Sequence, residues 1–302
     1  MELIYEGVTL DVVIKDYKIN DGMGGKADSI EVKFADIKHE CRKWQFKKND
    51  CIELIEKPFT TGKMFVDGFS CSNGDYTIVA LSIKKSIKTK QTKTWERIEF
   101  LDLAEDLIES HGLKLETYGV ENFRYQRVDQ VKRNNIEFLN YRCILEGYNL
   151  KITDGKAVIV SEKYLEEQEP ILIIEPDQFI GNYNFNCTSN RVFGGCEVSS
   201  FSNGNIIGKY VIDSSLEILR IKDIPVFSIE EANRFSKNIL RSYNKKELTG
   251  SFSINKNNKI AAGCTLRIES LDLFNGKYII ENMFKGFDGK TKLNVRRVLE
   301  GY

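Results

Sequence analysis

The sequence predicts a mainly β protein of the α+β class, in which two similar β-barrel domains flank an α/β insert. Short runs of alternating apolar and polar residues, separated by turns rich in glycine and asparagine, occupy both ends of the 302-residue chain. Such runs are typical of strands. Patterns with helical period occupy the middle and recur near residues 229–243. Both ends also repeat one order of strand, Gly-Lys pair and strand, which either two ordinary β-hairpins or a duplicated domain would explain.

The first barrel is expected to cover residues 1–88, the insert residues 89–165 and the second barrel residues 166–302, with a helix inserted near residues 229–243. Predicted strands of the first barrel cover residues 10–14, 30–34, 51–55, 64–66 and 76–80. Turns are indicated at residues 21–25 and 73–75. The glycines of residues 22–25 lack the spacing of a nucleotide-binding fingerprint, so a turn explains them.

A basic stretch follows the first barrel and suggests two interpretations. It could contact phosphate or another polyanion. However, no aromatic residue alternates with the lysines, and Glu96 and Glu99 follow closely, which favours a solvated strand end and linker. The lysines of this stretch are Lys84, Lys85, Lys88, Lys90 and Lys93.

The insert begins with a predicted helix over residues 100–111, whose apolar residues fall on one face and which Gly112 closes. His111 lies near the C-terminus of this helix, where a charged imidazolium is mildly favoured. We expect a packed or capping histidine there rather than a catalytic one.

A second helix is expected to begin after an N-cap at Asn134 or Asn135 and to end at Gly147 in a left-handed C-cap. Two apolar stripes on opposite sides predict that it is covered twice. Strands over residues 149–152 and 156–160 follow, joined by an Asp154-Gly155 hairpin turn. The stripes consist of Ile136, Leu139 and Cys143, and of Phe138, Tyr141 and Leu145.

The second barrel begins with an acidic connection over residues 162–169, with further carboxylates at Glu175 and Asp177. Paired carboxylates can serve glycoside hydrolysis. Here they lie beside Pro170 and Pro176, which favours solvated charges. Strands are predicted over residues 171–174, 191–193, 196–198, 209–212 and 248–254.

A helix is expected to interrupt these strands after Ser228, because Ser228 and Glu231 match a capping box. Its predicted buried face consists of Ala232, Phe235, Ser236, Ile239, Leu240 and Tyr243.

An ordered set of short motifs resembles the phage late control D family, the baseplate hub proteins of contractile phage tails and tail-like bacteriocins. This family is related to the hub portion of type VI secretion spikes. In the middle of the chain the set consists of Tyr125, Asp129-Gln130, Asn135, residues 137–139, Glu146-Gly147 and residues 154–156. Towards the ends it includes residues 28–30, Asp36, Trp44, residues 50–54, Ala262-Gly263, residues 276–278 and residues 300–302.

An internal repeat supports a duplicated barrel. Asn49-Asp50 precedes the strand at 51–55 and Gly62-Lys63 follows it, while Ala262-Gly263 precedes residues 264–268 and Gly276-Lys277 follows them. The spacing from Cys51 to Gly62 differs by one residue from that between Cys264 and Gly276. A further strand ends each copy, at residues 77–81 and 292–296. Two ordinary β-hairpins would explain the repeat equally well, but the family resemblance favours two tube-type barrels.

The resemblance implies a structural protein without catalytic, cofactor or metal residues. A homotrimer would place six similar barrels around one axis and adapt a sixfold tail tube to a threefold central spike. Expected partners are the trimeric spike protein, the tube protein and other baseplate (wedge) proteins. The chain would be made in a bacterial cytoplasm without a signal peptide and assembled into the baseplate of a virion or a released tail-like particle.

Composition excludes several other classes. Forty-four basic and forty-four acidic residues give no net charge, so sequence-specific nucleic-acid binding is not expected. No apolar run is long enough for a membrane segment. The seven cysteines are widely spaced, and His39 with Cys41 supplies only two candidate metal ligands, so mostly buried free thiols are expected. The alternative function is a cell-wall-directed enzyme, such as a peptidoglycan hydrolase, or a carbohydrate-binding tail component, although Trp44 and Trp95 are few aromatics for sugar binding.

Overall fold

The computed structural model describes residues 1–35, 45–84, 89–190, 192–201, 204–222 and 224–302. Strands predominate over helices in this part of the chain, which confirms the mainly β, α+β class. Some residues named above lie outside the described ranges. They are Asp36, His39, Cys41, Trp44, Lys85, Lys88 and Arg191.

Eight strands form the first barrel. They are β1 (Glu2–Tyr5), β2 (Val8–Leu10), β3 (Val13–Gly22), β4 (Ser29–Ala35), β5 (Cys51–Glu56), β6 (Phe59–Thr60), β7 (Met64–Ser72) and β8 (Asp75–Leu81). The prediction of one strand over residues 10–14 was wrong. Leu10 pairs back onto Leu3 in a hairpin, whereas Val13 pairs with Ala35 of β4, so the chain changes partner between them.

The insert alternates strands and helices. Its elements are β9 (Gln91–Glu99), α1 (Phe100–Glu109), β10 (Lys114–Tyr118), β11 (Arg124–Arg133), α2 (Asn135–Glu146), β12 (Tyr148–Thr153) and β13 (Lys156–Ser161). Both ends of α2 agree with prediction: the Asn134 side chain accepts a bond from the Glu137 amide, and Gly147 is left-handed. Asp154 and Gly155 both have positive φ, which confirms the hairpin turn. Lys93 lies within β9 and is exposed, in agreement with a solvated strand end.

The remaining elements combine the second barrel with a further helical layer. They are α3 (Glu162–Glu167), β14 (Ile173–Ile174), β15 (Asn184–Cys187), β16 (Gly195–Ser200), β17 (Ile206–Val211), β18 (Ile218–Lys222), α4 (Ile229–Asn244), β19 (Leu248–Asn255), β20 (Thr265–Ile268), β21 (Gly276–Gly286) and β22 (Lys290–Arg297). Two predictions were wrong here: Val192 and Phe193 lie outside any strand, and Tyr243 is exposed. Tyr243 lies at the last turn of α4, where its ring packs edge-on against Phe193.

The N-terminus of α4 largely agrees with the predicted capping box. The Ser228 hydroxyl accepts a hydrogen bond from the Glu231 amide at 3.1 Å. The Glu231 carboxylate reaches back one residue further than expected and accepts from the Phe227 amide at 2.9 Å. The Glu231 amide of the first turn and the Phe227 amide before the cap are therefore both satisfied, in a variant of the capping box.

One continuous sheet contains both barrels. Its strand order is β15-β19-β22-β21-β3-β4-β8-β7-β5-β1-β2, with β20 on β21, β14 on β20 and β6 on β5. The antiparallel pairing of β21 with β3 joins the second barrel to the first. Within the described ranges, β2 and β15 are the two ends of this path.

Three hydrophobic cores lie along the chain. Each barrel has its own, centred on residues such as Val32 and Ile78 in the first and Phe252 and Leu293 in the second. The third core combines the insert with β16 and α4. The segment that contains α4 therefore packs with the insert, although the proposed boundary at residue 166 assigns it to the second barrel. The three-domain division stays a prediction.

Candidate assembly interface

The two barrels meet along a junction of β21 and β3, in which Met283 pairs with Asp21 and Lys285 with Ile19. We call this pairing the internal junction. The Met283 side chain is fully buried, Lys285 is 2% exposed and Asp21 is 7% exposed. Pairing therefore covers both strand edges and their side chains on one face of the sheet.

The insert holds the internal junction through charge. Lys151 of β12 forms an ion pair with Asp21, whose second carboxylate oxygen accepts a hydrogen bond from the Ala262 amide at 2.8 Å. Asp28 lies beside them and accepts a bond from the Gly22 amide at 2.9 Å. Burial, with the charge of Asp21, raises the pKa of Asp28 to about 7. Lys151 thus forms an ion pair with Asp21, and its charge also acts on Asp28. The two carboxyl groups come from the two ends of the β3–β4 turn.

A buried lysine lies at the same junction. The Lys285 ammonium is 4.0 Å from the centroid of the Phe59 ring, and it has no hydrogen-bond partner among the described residues. Burial lowers the pKa of Lys285 to about 8, because a charged ammonium is poorly solvated there. Contact with the ring face offsets part of that cost.

Equivalent strands of the two barrels follow one order. The series β3-β4-β8-β7-β5 corresponds to β15-β19-β22-β21-β20. The next strands differ, because β1 pairs antiparallel with β5 whereas β14 pairs parallel with β20. Both β7 and β21 carry a bulge at the same place, between Val66 and Gly68 in the first and between Ile280 and Asn282 in the second. The internal repeat of the sequence is therefore a repeat of structure.

The hydrogen bonds beside these bulges fix the correspondence residue by residue. The Val66 amide donates to the Asp50 carbonyl at 2.9 Å, and the Ile280 amide donates to the Cys264 carbonyl at 2.9 Å. Because Asp50 matches Cys264, Cys51 matches Thr265 and not Cys264 as the sequence suggested. With this correction, the spacing to Gly62 and to Gly276 is the same in both barrels.

The other face of the sheet carries both charged and apolar side chains where the barrels meet. Side chains alternate along each strand, so residues that flank the buried ones point to this second face. A groove of about 680 Å³ runs across the internal junction there. Its lining includes Lys18 and Glu31 from the first barrel and Ser253, Phe284 and Lys292 from the second.

Comparison with solved structures gives this arrangement a context. The 43 kDa tail protein of prophage MuSo2 from Shewanella oneidensis matches with a TM-score of 0.76 over 98% of each chain, at 12% identity. A tail protein from Neisseria meningitidis matches with a TM-score of 0.77 over 98% of this chain and 95% of its own, at 11% identity. The chain has the fold of phage tail proteins. This confirms the fold that the family resemblance implied.

A type VI secretion protein shares the tail-protein fold. This Escherichia coli component, described as similar to the T4 bacteriophage tail proteins gp27 and gp5, matches with a TM-score of 0.70 at 9% identity, over 100% of this chain and 79% of its own. No protein-family model matches the sequence. No curated protein matches it either.

The acidic segment that was expected to be solvated is part of a buried ionic cluster. Glu166 of α3 bonds Arg296 of β22 at 3.0 Å and Arg241 of α4 at 2.5 Å. Glu162 pairs with Lys245, and although burial alone would raise the pKa of Glu162, the charges of Lys245 and Arg296 lower it. The prediction was wrong for these two carboxylates because their partners lie far along the chain. Glu175 and Asp177 are exposed, as expected.

The charge state of His111 and the burial of the cysteines differ from expectation. Burial lowers the pKa of His111, so the neutral imidazole is favoured and the expected effect of the helix C-terminus is outweighed. Of the cysteines in the described ranges, Cys143 and Cys196 are buried whereas Cys71 and Cys187 are exposed. The prediction of mostly buried thiols was therefore wrong. No cluster of three or more metal-ligating side chains occurs in the part of the chain that the structure describes. Nor is any described helix long and apolar enough to cross a membrane.

The sequence did not indicate the strand pairing that forms the internal junction. Neither the pairing of β21 with β3 nor the strand β15 was indicated, although the turn at residues 21–25 was. That turn contacts the insert: the Gly25 amide donates to the Leu150 carbonyl at 2.7 Å. Gly25 has positive φ, and a Cβ there would lie 2.6 Å from the Asn140 side chain, so only glycine fits.

Proposed function

We propose that the protein is a structural baseplate hub of a contractile phage tail or a tail-like bacteriocin. Three chains would form a ring of six barrels. One face of the ring would meet the sixfold tail tube, and the other would meet a trimeric central spike. Other baseplate (wedge) proteins would contact its outer surface. The ring acts as a symmetry adapter without cofactor, metal or catalytic residues.

The observation that carries this proposal is the repeat of one barrel within one chain. Two barrels with the same strand order are joined edge to edge through β21 and β3. Three copies of such a chain give six similar barrels with only threefold exact symmetry. A single-barrel chain would need six copies and could not present a threefold face of its own.

The chemistry of the sheet supports a ring around a passage. The groove across the internal junction is mixed in charge, with Lys18, Glu31 and Lys292 in its lining. A surface with charges of both signs suits a water-filled lumen and does not favour tight binding of one charged substrate. The tail-protein fold, shared with proteins of prophage tails and of type VI secretion, is consistent with this role.

The mass of the protein in solution tests the proposal. Size exclusion with light scattering should give about 104 kDa, three times the 34.7 kDa chain. The measurement should be made at micromolar concentration, alone and with the spike protein of the same particle. A monomer in both samples would overturn the hub. The control for the enzyme alternative is a peptidoglycan zymogram, in which no clearing is expected.

A further inference from the structure

Two strand edges remain open where their counterparts in the other barrel are paired. In the second barrel, β21 continues past its contact with β20, and its residues 282–286 pair with β3. In the first barrel, β7 continues past its contact with β5 in the same way. Its residues 68–72 pair only with β8 among the described residues. Likewise β15, the counterpart of β3, pairs only with β19 in the described ranges.

Equivalent residues are more exposed at the open edges than at the internal junction. Phe69 of β7 occupies the position of Met283 in β21, because each is the second residue after the bulge and each pairs with matching residues of the next strand. Met283 is fully buried within the core of the second barrel, whereas Phe69 is 46% exposed. On the opposite strand, Asp21 is buried and its counterpart Cys187 is exposed. The first barrel thus presents an apolar side chain at an edge that no other described residue pairs with.

The free backbone groups of β15 point away from its partner strand. The Thr188 amide donates to the Glu247 carbonyl at 2.9 Å, so residue 188 directs its bonding groups towards β19. Bonding groups alternate sides along a strand. Those of Phe185 and Cys187 therefore face the open edge, as those of the equivalent Ile19 and Asp21 face β21 in the internal junction.

We propose that residues 68–72 of β7 pair antiparallel with β15 of a second copy of this chain, in the register of the internal junction. Phe69 then lies opposite Cys187 of the partner subunit, and Cys71 lies opposite Phe185 of the partner subunit. This inference rests on the proposed trimeric function and specifies its contact. Both junctions of the ring, within and between chains, become the same pairing.

The contact is head to tail, since each copy contributes one edge of each kind. Such a contact closes into a ring only if its rotation divides a full turn. In the proposed ring of six barrels in three chains, both kinds of junction would turn by the same angle, one sixth of a full turn. The contact also covers edges that would otherwise invite unspecific strand pairing.

Disulfide trapping tests the register directly. The change Phe69→Cys, made with Cys71→Ser so that no second thiol lies on this edge, places a thiol opposite Cys187 of the partner subunit. Directly opposed residues of a hydrogen-bonded antiparallel pair lie about 5.5 Å apart between Cα atoms, within the range that a disulfide spans. Mild oxidation should convert most of the chain to a covalent trimer on non-reducing gels.

Two matched variants identify the contact. Ser70→Cys with Cys71→Ser moves the thiol one residue, to the other face of the strand, and at least tenfold less covalent product is expected. Adding Cys187→Ser to the Phe69→Cys protein should abolish the product, because it removes the partner thiol. Equal product from the Ser70→Cys control, or product that survives Cys187→Ser, overturns the register.

The outcomes separate this inference from the proposed function. A trimer by light scattering without the covalent product overturns the strand pairing and leaves the hub intact. A covalent ladder that extends beyond three chains supports the pairing and overturns the trimeric hub. A monomer without product overturns both.

A second measurement uses the unmodified protein and does not depend on the variants folding. In the assembled protein, hydrogen exchange at the amides of residues 69, 71, 185 and 187 should be at least tenfold slower than at Asn73 in the adjacent turn. Exchange as fast as that of the turn at all four positions overturns the pairing.

Discussion

The two barrels share a strand order but are stabilised differently. Leu81 in β8 and Arg296 in β22 occupy equivalent positions, each beside the bulge of the neighbouring strand. Leu81 is half-buried in a barrel with its own apolar core, whereas Arg296 is 1% exposed and pairs with carboxylates of α3. The second barrel is therefore fixed to α3 through buried Arg296, whereas the first barrel is joined to the insert by the ion pair of Asp21 and Lys151. The two barrels thus have the same strand pairing but differ in the residues that surround it.

The hydrophobic cores of the two barrels also differ. Val32 of β4 and Phe252 of β19 occupy equivalent positions in the two barrels. Phe252 packs against an aromatic group that the first barrel does not match at this place, with ring centroids 4.7 Å from Phe179 and 5.7 Å from Phe185. The segment that supplies Phe179 and Phe185 is thus held to the sheet by Phe252, next to the edge that we assign to the partner contact.

The largest expected effect separates the two cores. Phe252→Ala should lower the free energy of unfolding by about 4 kcal/mol, since it leaves a large cavity in a fully buried cluster. The equivalent change Val32→Ala removes two methyl groups and should cost about 2 kcal/mol. Urea denaturation of both variants measures the difference. Equal losses would contradict the distinction between the two cores.

The next effect tests the buried charges that hold the second barrel to α3. Glu166→Gln should cost about 3 kcal/mol, because it leaves Arg296 and Arg241 buried without their carboxylate. The control is Glu167→Gln on the same helix, which breaks only an exposed pair with Lys163 at 3.9 Å and should cost less than about 0.5 kcal/mol. Shifts in the urea midpoint report both. A neutral Glu166→Gln variant would show that the cluster does not attach the barrel to the helices.

The smallest effect concerns Lys285, whose counterpart at the open edge is Cys71. Below pH 8 the lysine is charged in both the folded and the unfolded chain, and the folded protein carries the cost of burial. Between about pH 8 and 10.5 the folded protein loses its proton first. Unfolding then takes up a proton, so the stability of the wild type should rise with pH across this window.

The variant Lys285→Met lacks this titration. At pH 7 it should be more stable than the wild type by about 2 kcal/mol, after allowance for solvent screening, and this advantage should shrink as the pH rises towards 10. Lys292→Met, an exposed change on the neighbouring strand, should differ from the wild type by less than about 0.5 kcal/mol throughout. Urea curves at several pH values make the comparison. An advantage independent of pH would assign the effect to packing rather than charge.

Local signals in the sequence were sufficient for much of the fold. The cap at Asn134, the left-handed Gly147 and the hairpin turn at Asp154 each depend on residues within a few positions, and each is as predicted. The helix α3 was missed because it is short and polar, with a proline soon after it. Its burial depends on Arg241 and Arg296, whose positions only the tertiary fold brings to Glu166.

The candidate interface was beyond the reach of sequence patterns. The internal junction pairs Asp21 with Met283, residues from opposite ends of the chain. The strand β15 reads Asn-Phe-Asn-Cys, without the β-branched residues that indicate strands. The family resemblance implied a ring, but the equivalence of the two edges became visible only when both sheets could be aligned strand by strand.

Electron microscopy of the assembled protein, viewed down its axis, tests the central claim most directly. The account expects a closed ring of six similar lobes with threefold symmetry around a central opening, two lobes from each chain. The lobes should alternate in the density outside them, because the two barrels make different contacts with the insert and with α3. Particles with two lobes, or rings with a number of lobes other than six, would contradict the account.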